Sequence, residues 1–273
     1  VNITADGVVL NGFEITAPDS YNAIALSDRS NVTVSYNNIH DIGTNLTGGG
    51  NIHAIIDQIG SGASSDVTIS NNCLNTLGNS GFSNNSLSAI GILQSVSTGE
   101  LTNLNITDNT INNLNVNTAS WPNGKIAYGI LINVGSNNYL TTTGKVVDAT
   151  LSGNTISNLT GFISTGIGLE GNTQNANVEL NSVSDLTGHK LANRAGGGYD
   201  LNGLKFETNR FVGTVTVENN SFEANTFTYG PTSTSDLGYA VANYVPSADD
   251  GVASLDCNWF GTADYSELVA EYT

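Results

Sequence analysis

Apolar residues along this chain recur in short alternating runs, and the runs align with one another. NVTVSYNNI (31–39), DVTISNNCL (66–74), NLNITDNTI (103–111), DATLSGNTI (148–156), NANVELNSV (175–183), TVTVENNSF (214–222) and VASLDCNWF (252–260) share one frame. Positions two and four are small or apolar, position seven is Asn, and position nine is a large apolar residue. GVVLNGFEI (7–15) fits the same frame with Phe13 where Asn is expected. That makes eight units, spaced irregularly by about 24 to 45 residues.

Alternation with period two marks strands with one buried face. A second, weaker series lies between the units: NAIALS (22–27), HAIIDQI (53–59), SAIGILQ (88–94), AYGILIN (127–133), STGIGLE (164–170) and YAVANY (239–244). No segment inside the repeats reads as a helix of ten or more residues. Short strands that recur once per repeat, with no helices between them, predict an all-β fold: a right-handed parallel β-helix of about eight coils. Each coil stacks on the last at about 4.8 Å. The position-seven residues Asn37, Asn72, Asn109, Asn154, Asn181, Asn220 and Asn258 then form one stacked row, joined amide to amide.

The repeats span nearly the whole chain, so residues 1–273 read as a single domain. Asp264 as N-cap and Glu267 three residues on make a capping-box pattern in DYSELVAEYT. Leu268 and Tyr272 would share a face of this short helix, which with Trp259 and Phe260 is expected to form a C-terminal cap over about 259–273. At the other end VNITADG enters the first coil directly as a strand, which leaves end-to-end self-association open. A first residue of Val reads as a processed chain or a fragment, and no targeting signal is visible in it.

These repeats resemble those of right-handed parallel β-helix proteins, the pectate-lyase-like superfamily in its broad sense. DGVVLNGFEI near the start and LDCNWFGT near the end are similar to bacterial secreted and cell-surface members, which often close the domain with a C-N-W-[WF]-G segment. The resemblance implies the fold. It does not select a function, because the superfamily holds lyases, hydrolases, epimerases, adhesins and surface-layer proteins.

Charge narrows the partners. Asp and Glu number 24 against 7 Lys and Arg, a net charge of −17, which excludes nucleic acid and anionic lipid surfaces as natural ligands. No run approaches the length of a membrane span, so insertion is not expected. An acidic, Asn-, Ser- and Thr-rich chain suits an extracellular or cell-surface setting.

Enzymatic motifs implied by the resemblance are missing: there is no vWiDH-like segment, no RxPxxR and no DPH. GHK (188–190) is a faint match to the GHG of polygalacturonases, without the upstream acidic pairs. With no convergent carboxylate pair, glycoside hydrolysis has no support. Cys73 and Cys257 lie five coils apart, on the order of 24 Å, beyond disulfide reach, and read as small fillers of a turn or the core. Gly49–Gly50 and Gly196–Gly198 lack the strand-to-helix context of phosphate loops.

The segments that vary most follow the repeat units: 44–51, 78–86, 115–125, 187–200 and 226–238. As analogous insertions they should emerge on one flank. They carry Trp121, Lys125, His189, Lys190, Arg194, Tyr199 and Tyr229, which read either as ordinary loop residues or as a glycan platform. In the second reading aromatic faces stack on sugars and cations pair with uronate or sulfate. Asp249 and Asp250 in SADDG are the candidate Ca²⁺ ligands, or simply an acidic turn. The leading expectation is a secreted or surface structural or adhesive β-helix, an adhesin-like module that binds a polysaccharide or cell-surface glycan. The alternative is a polysaccharide lyase that acts on acidic polysaccharide through Lys190 or Arg194 with Ca²⁺.

Overall fold

The computed structural model describes residues 1–46, 50–79, 86–94, 98–116, 126–134, 144–188, 201–206, 215–223, 226–229, 239–243 and 255–261. Its strands form three parallel sheets, and each of the first seven coils contributes to all three in turn, while the last adds a strand to one of them. Sheet A stacks Asn2–Ile3, Asn22–Ser27, Ile52–Ile59, Leu87–Gln94, Ile126–Asn133, Ile163–Leu169, Leu201–Phe206 and Tyr239–Asn243. Sheet B runs through Val9–Asn11, Val32–Ser35, Ala63–Ser70, Glu100–Thr107, Lys145–Ser152, Asn177–Glu179 and Thr216–Glu218. Sheet C runs through Glu14–Ala17, Asn38–Ile42, Cys73–Leu77, Thr110–Asn115, Thr155–Thr160, Ser182–Val183 and Ser221–Phe222, with Leu186–Gly188 and Thr228–Tyr229 alongside. The fold is a parallel β-helix of about eight coils.

The nine-residue frame therefore straddles a corner. Positions two and four lie in sheet B, and Val32, Val34, Val67, Ile69, Leu104 and Ile106 are fully buried there. Position nine lies in sheet C, where Ile39, Leu74, Ile111, Ile156, Val183 and Phe222 are likewise fully buried. The weaker series is sheet A.

The Asn row stands at the corner between B and C. Asn72 shows the pattern: its backbone N–H and its Nδ2 both donate to Oδ1 of Asn109, each at 3.0 Å, while Nδ2 also donates to the Val34 carbonyl at 2.9 Å. The same links join Asn37 to Asn72, Asn109 to Asn154, Asn154 to Asn181, Asn181 to Asn220 and Asn220 to Asn258. Phe13 enters the row only through its backbone N–H, which donates to Oδ1 of Asn37.

Left-handed backbone explains the sequence's appetite for Asn, Asp and Gly. Positive φ recurs at positions one, six and eleven of a unit: Asp66, Asn71 and Thr76, then Asn103, Asp108 and Asn113, then Asp148, Gly153 and Asn158. Short polar side chains and Gly tolerate this conformation, and it bends the chain at fixed intervals. At positions one and eleven the ladder skips a pair, as at Asp66 beside Asn103 and Thr76 beside Asn113.

Sheet A has a column of small residues instead: Ala23, Ala54, Ala89, Gly129, Gly166, Gly203 and Ala240. A Cβ at Gly166 would stand 2.5 Å from Val183 of sheet C and 2.6 Å from the Gly203 carbonyl. Here the sheets approach too closely for a larger residue.

One of the two cysteines departs from the expected filler role. Both are free and exposed. Cys257 occupies the left-handed corner position, so the turn reading holds for it. Cys73 is at position eight, next to the inward Leu74, and so faces out. At the C-terminal end Leu255 and Phe260 pack against the core, whereas Trp259 is 48% exposed and joins Ser221 by one parallel bridge. The helical part of the expected cap, 262–273, lies outside the described residues.

Candidate functional site

The loop segments share one place in the coil order. Segments 44–51, 78–86, 115–125, 187–200 and 226–238 each lie in sequence between a sheet C strand and the next sheet A strand, so the strands that flank them meet at one corner. Their candidate side chains, Trp121, Lys125, His189, Lys190, Arg194 and Tyr199, lie outside the described residues, as do Asp249 and Asp250. Tyr229 is described in its backbone only, at the end of a sheet C strand.

At the foot of this corner, on sheet C, runs an open groove of about 790 Å³. It spans six successive coils, from Thr44 to Thr228, or about 24 Å at the usual strand spacing. One wall is the position-eleven column Thr76, Asn113, Asn158 and Asp185, whose left-handed backbone re-aims the side chains. The opposite wall is Asn115, Thr160, Thr187 and Thr228, stacked directly in register from strand to strand. Leu114, fully buried, closes the floor between them.

Among the described residues the lining is almost wholly neutral: Asp185 is the one ionisable side chain, and no Lys, Arg or His contributes. Some carboxamides are held by neighbours: Asn113 Nδ2 donates to Asn75 Oδ1 at 2.8 Å and Asn158 Nδ2 to Asn112 Oδ1 at 2.7 Å. Thr226 Oγ1 accepts from the Asp185 backbone N–H at 2.7 Å. The side chains of Thr76, Asn115, Thr160, Thr187 and Thr228 make no hydrogen bond with any described residue, so their polar atoms stand open to a ligand. Thr76 is β-branched with a φ of 56°, a conformation such residues rarely take.

A second polar cluster lies on the side of sheet A that faces away from the core. Tyr128 Oη and Lys205 Nζ both donate to Glu170 Oε1, at 2.7 and 2.9 Å. All three residues are buried. A Cβ at Gly168 would lie 3.1 Å from the Tyr128 ring, so glycine there lets the ring lie across the strand. Nearby, His53 Nδ1 and Ser88 Oγ are 2.6 Å apart, and burial holds the imidazole pKa down to about 4. Lys205 and Glu170 neutralise one another here, which makes this cluster a buried ion pair satisfied within the protein.

Asp57 is stranger. It stands in register between Leu26 and Ile92, both core residues, and so faces inward. It is fully buried, and neither carboxyl oxygen has a hydrogen-bond partner. Burial, and then the charge of Asp28, push its pKa up to about 7. Among the described residues no group of three His, Cys, Asp or Glu could hold a metal ion. Nor is any helix among them long and apolar enough to cross a membrane.

Sequence reasoning pointed to the loops and passed over the groove beneath them. The signal was present: NTLGN (75–79), NNLNV (112–116), SNLTG (157–161) and SDLTG (184–188) continue the repeat past its ninth position. Reading twelve or thirteen positions exposes the recurrent Asn and Thr. No protein-family model, no curated protein and no solved structure matches this chain.

Proposed function

We propose that this protein is a secreted or cell-surface β-helix with a structural or adhesive role, which holds a polysaccharide or cell-surface glycan in the sheet C groove. The observation that carries this reading is the groove itself: six coils long, continuous, and edged by Thr and Asn side chains, of which Thr76, Asn115, Thr160, Thr187 and Thr228 make no hydrogen bond with a described residue. Hydroxyl and carboxamide groups both donate and accept, which suits the hydroxyls of a sugar chain. The in-register column supports the reading further, since its spacing is set by the sheet and needs no ordering on binding. The acidic surface keeps such a module soluble and apart from nucleic acid and anionic membranes.

The test is retention of the full chain on a panel of immobilised polysaccharides, neutral and acidic. Wild type should be retained by at least one, and Thr160→Tyr, which fills the groove, should abolish retention while the melting temperature stays close to wild type. Failure on every polysaccharide overturns the binding role and leaves a structural solenoid. Self-association end to end belongs to the same proposal. Phe13 offers no side-chain acceptor, so a stacked copy would pair through strand edges without extending the Asn row. Sedimentation that gives monomer at all concentrations would remove this part.

A further inference from the structure

We infer that the groove takes an uncharged glycan chain, extended parallel to the solenoid axis, and discriminates against polyanionic chains; this rests on the groove being a glycan site. The expectation from sequence pointed the other way, towards uronate or sulfate groups paired with loop cations. Among the described residues the groove supplies no such cation. Each carboxylate of a polyuronate laid along them would lose water without meeting a positive partner there. One would also meet Asp185, and all would approach against the −17 net charge of the chain.

A neutral sugar chain meets the opposite conditions. The hydroxyls of Thr160, Thr187 and Thr228 have no partner among the described residues and rise in a line along the axis, with Asn115 at the head of the same line. A linear chain lying along the axis reaches all four, whereas a chain lying across it reaches one coil only. Asp185, on the facing wall, is exposed and can accept from sugar hydroxyls as a carboxylate. The two walls thus present mainly donor–acceptor hydroxyls on one side, and on the other one acceptor carboxylate among Thr76, Asn113 and Asn158. That is a surface for hydroxyls, not for anions.

The experiment measures binding of the full chain to neutral hexasaccharides (cello-, manno- and xylohexaose) and to hexagalacturonic acid at low ionic strength, by calorimetry. At least one neutral hexasaccharide should bind about tenfold or more tighter than the acid. Thr160→Val with Thr187→Val should weaken that neutral ligand about tenfold, since two hydroxyl contacts are lost at nearly constant volume. Asp185→Lys should raise the affinity for hexagalacturonic acid, and Asp185→Asn should do so more weakly. Circular dichroism melts establish that each variant is folded. Binding of the acid as tightly as any neutral ligand, with the same loss in the Thr variants, overturns this inference and leaves the groove a glycan site. Neutral binding that ignores the Thr substitutions, or no binding of either class, overturns the glycan site as well.

Discussion

Two ionisable groups on one strand should hide each other's effect on stability. Asp57 and His53 both lie in Ile52–Ile59, Asp57 facing the core and His53 facing away from it. The native pKa of Asp57 is about 7, against an ordinary 3.8. Between these values the unfolded chain has lost the proton and the folded chain keeps it, so stability falls as pH rises and the loss is complete above about 7. At 1.36 kcal/mol per pH unit the whole contribution is about 4 kcal/mol. His53 has the reverse sign. Its native pKa is about 4 against an ordinary 6.5, so the unfolded chain binds the proton first, and stability falls as pH drops through that window. Its contribution is about 3 kcal/mol. Between about pH 4 and 6.5 the two slopes cancel, and each becomes visible only when the other residue is replaced. Urea unfolding of wild type, Asp57→Asn and His53→Gln at pH 4.5, 5.5, 6.5 and 8 reads this directly. Relative to wild type, Asp57→Asn should gain about 3 kcal/mol between pH 4.5 and 8. His53→Gln should gain by a similar amount in the opposite direction, from pH 6.5 to 4.5. Asp57→Asn with a pH profile parallel to that of wild type would refute the reasoning, because an uncharged residue at this site must change the slope.

Other substitutions test other parts of the account by the same unfolding assay. Asn109→Leu removes the acceptor of the Asn72 backbone N–H and of one of its two Nδ2 hydrogens, both buried, and should cost about 2–5 kcal/mol. Half-buried Asn105, which faces out from sheet B, should change stability little on replacement by Thr. Gly166→Ala places a Cβ against Val183 and the Gly203 carbonyl and should cost about 1–3 kcal/mol. Lys205→Met leaves Glu170 buried without its cation and should cost about 3–5 kcal/mol, while the double change Lys205→Met with Glu170→Leu should recover much of that loss. Equal costs for single and double changes would count against the ion pair.

The architecture was legible because its two strongest signals are periodic. The row from Asn37 to Asn258 and the alternation around it specify stacking, and every hydrogen bond expected between neighbouring members is present. Sheet C as a separate layer was hidden. Asn and Thr at positions ten to thirteen read as loop polarity, since a left-handed bend interrupts the alternation at Thr76, Asn113 and Asn158. The same bend builds the groove, so what masked the third sheet also masked the site. Asp57 was illegible for a different reason: a carboxylate in HAIIDQI looks like a solvent-facing position, and only the register beside Leu26 and Ile92 shows that it points inward. The Tyr128, Glu170 and Lys205 contact joins residues from three successive coils, and no pattern within one coil announces it.

Amide NMR mapping of the full chain during titration with the best neutral hexasaccharide locates the sugar on the solenoid. The largest shifts are expected at Asn115, Asn158, Thr160, Asp185 and Thr187, along sheet C. Shifts confined to the flanking loops around Trp121 and Tyr199, with the sheet C column unmoved, would contradict a sheet C site.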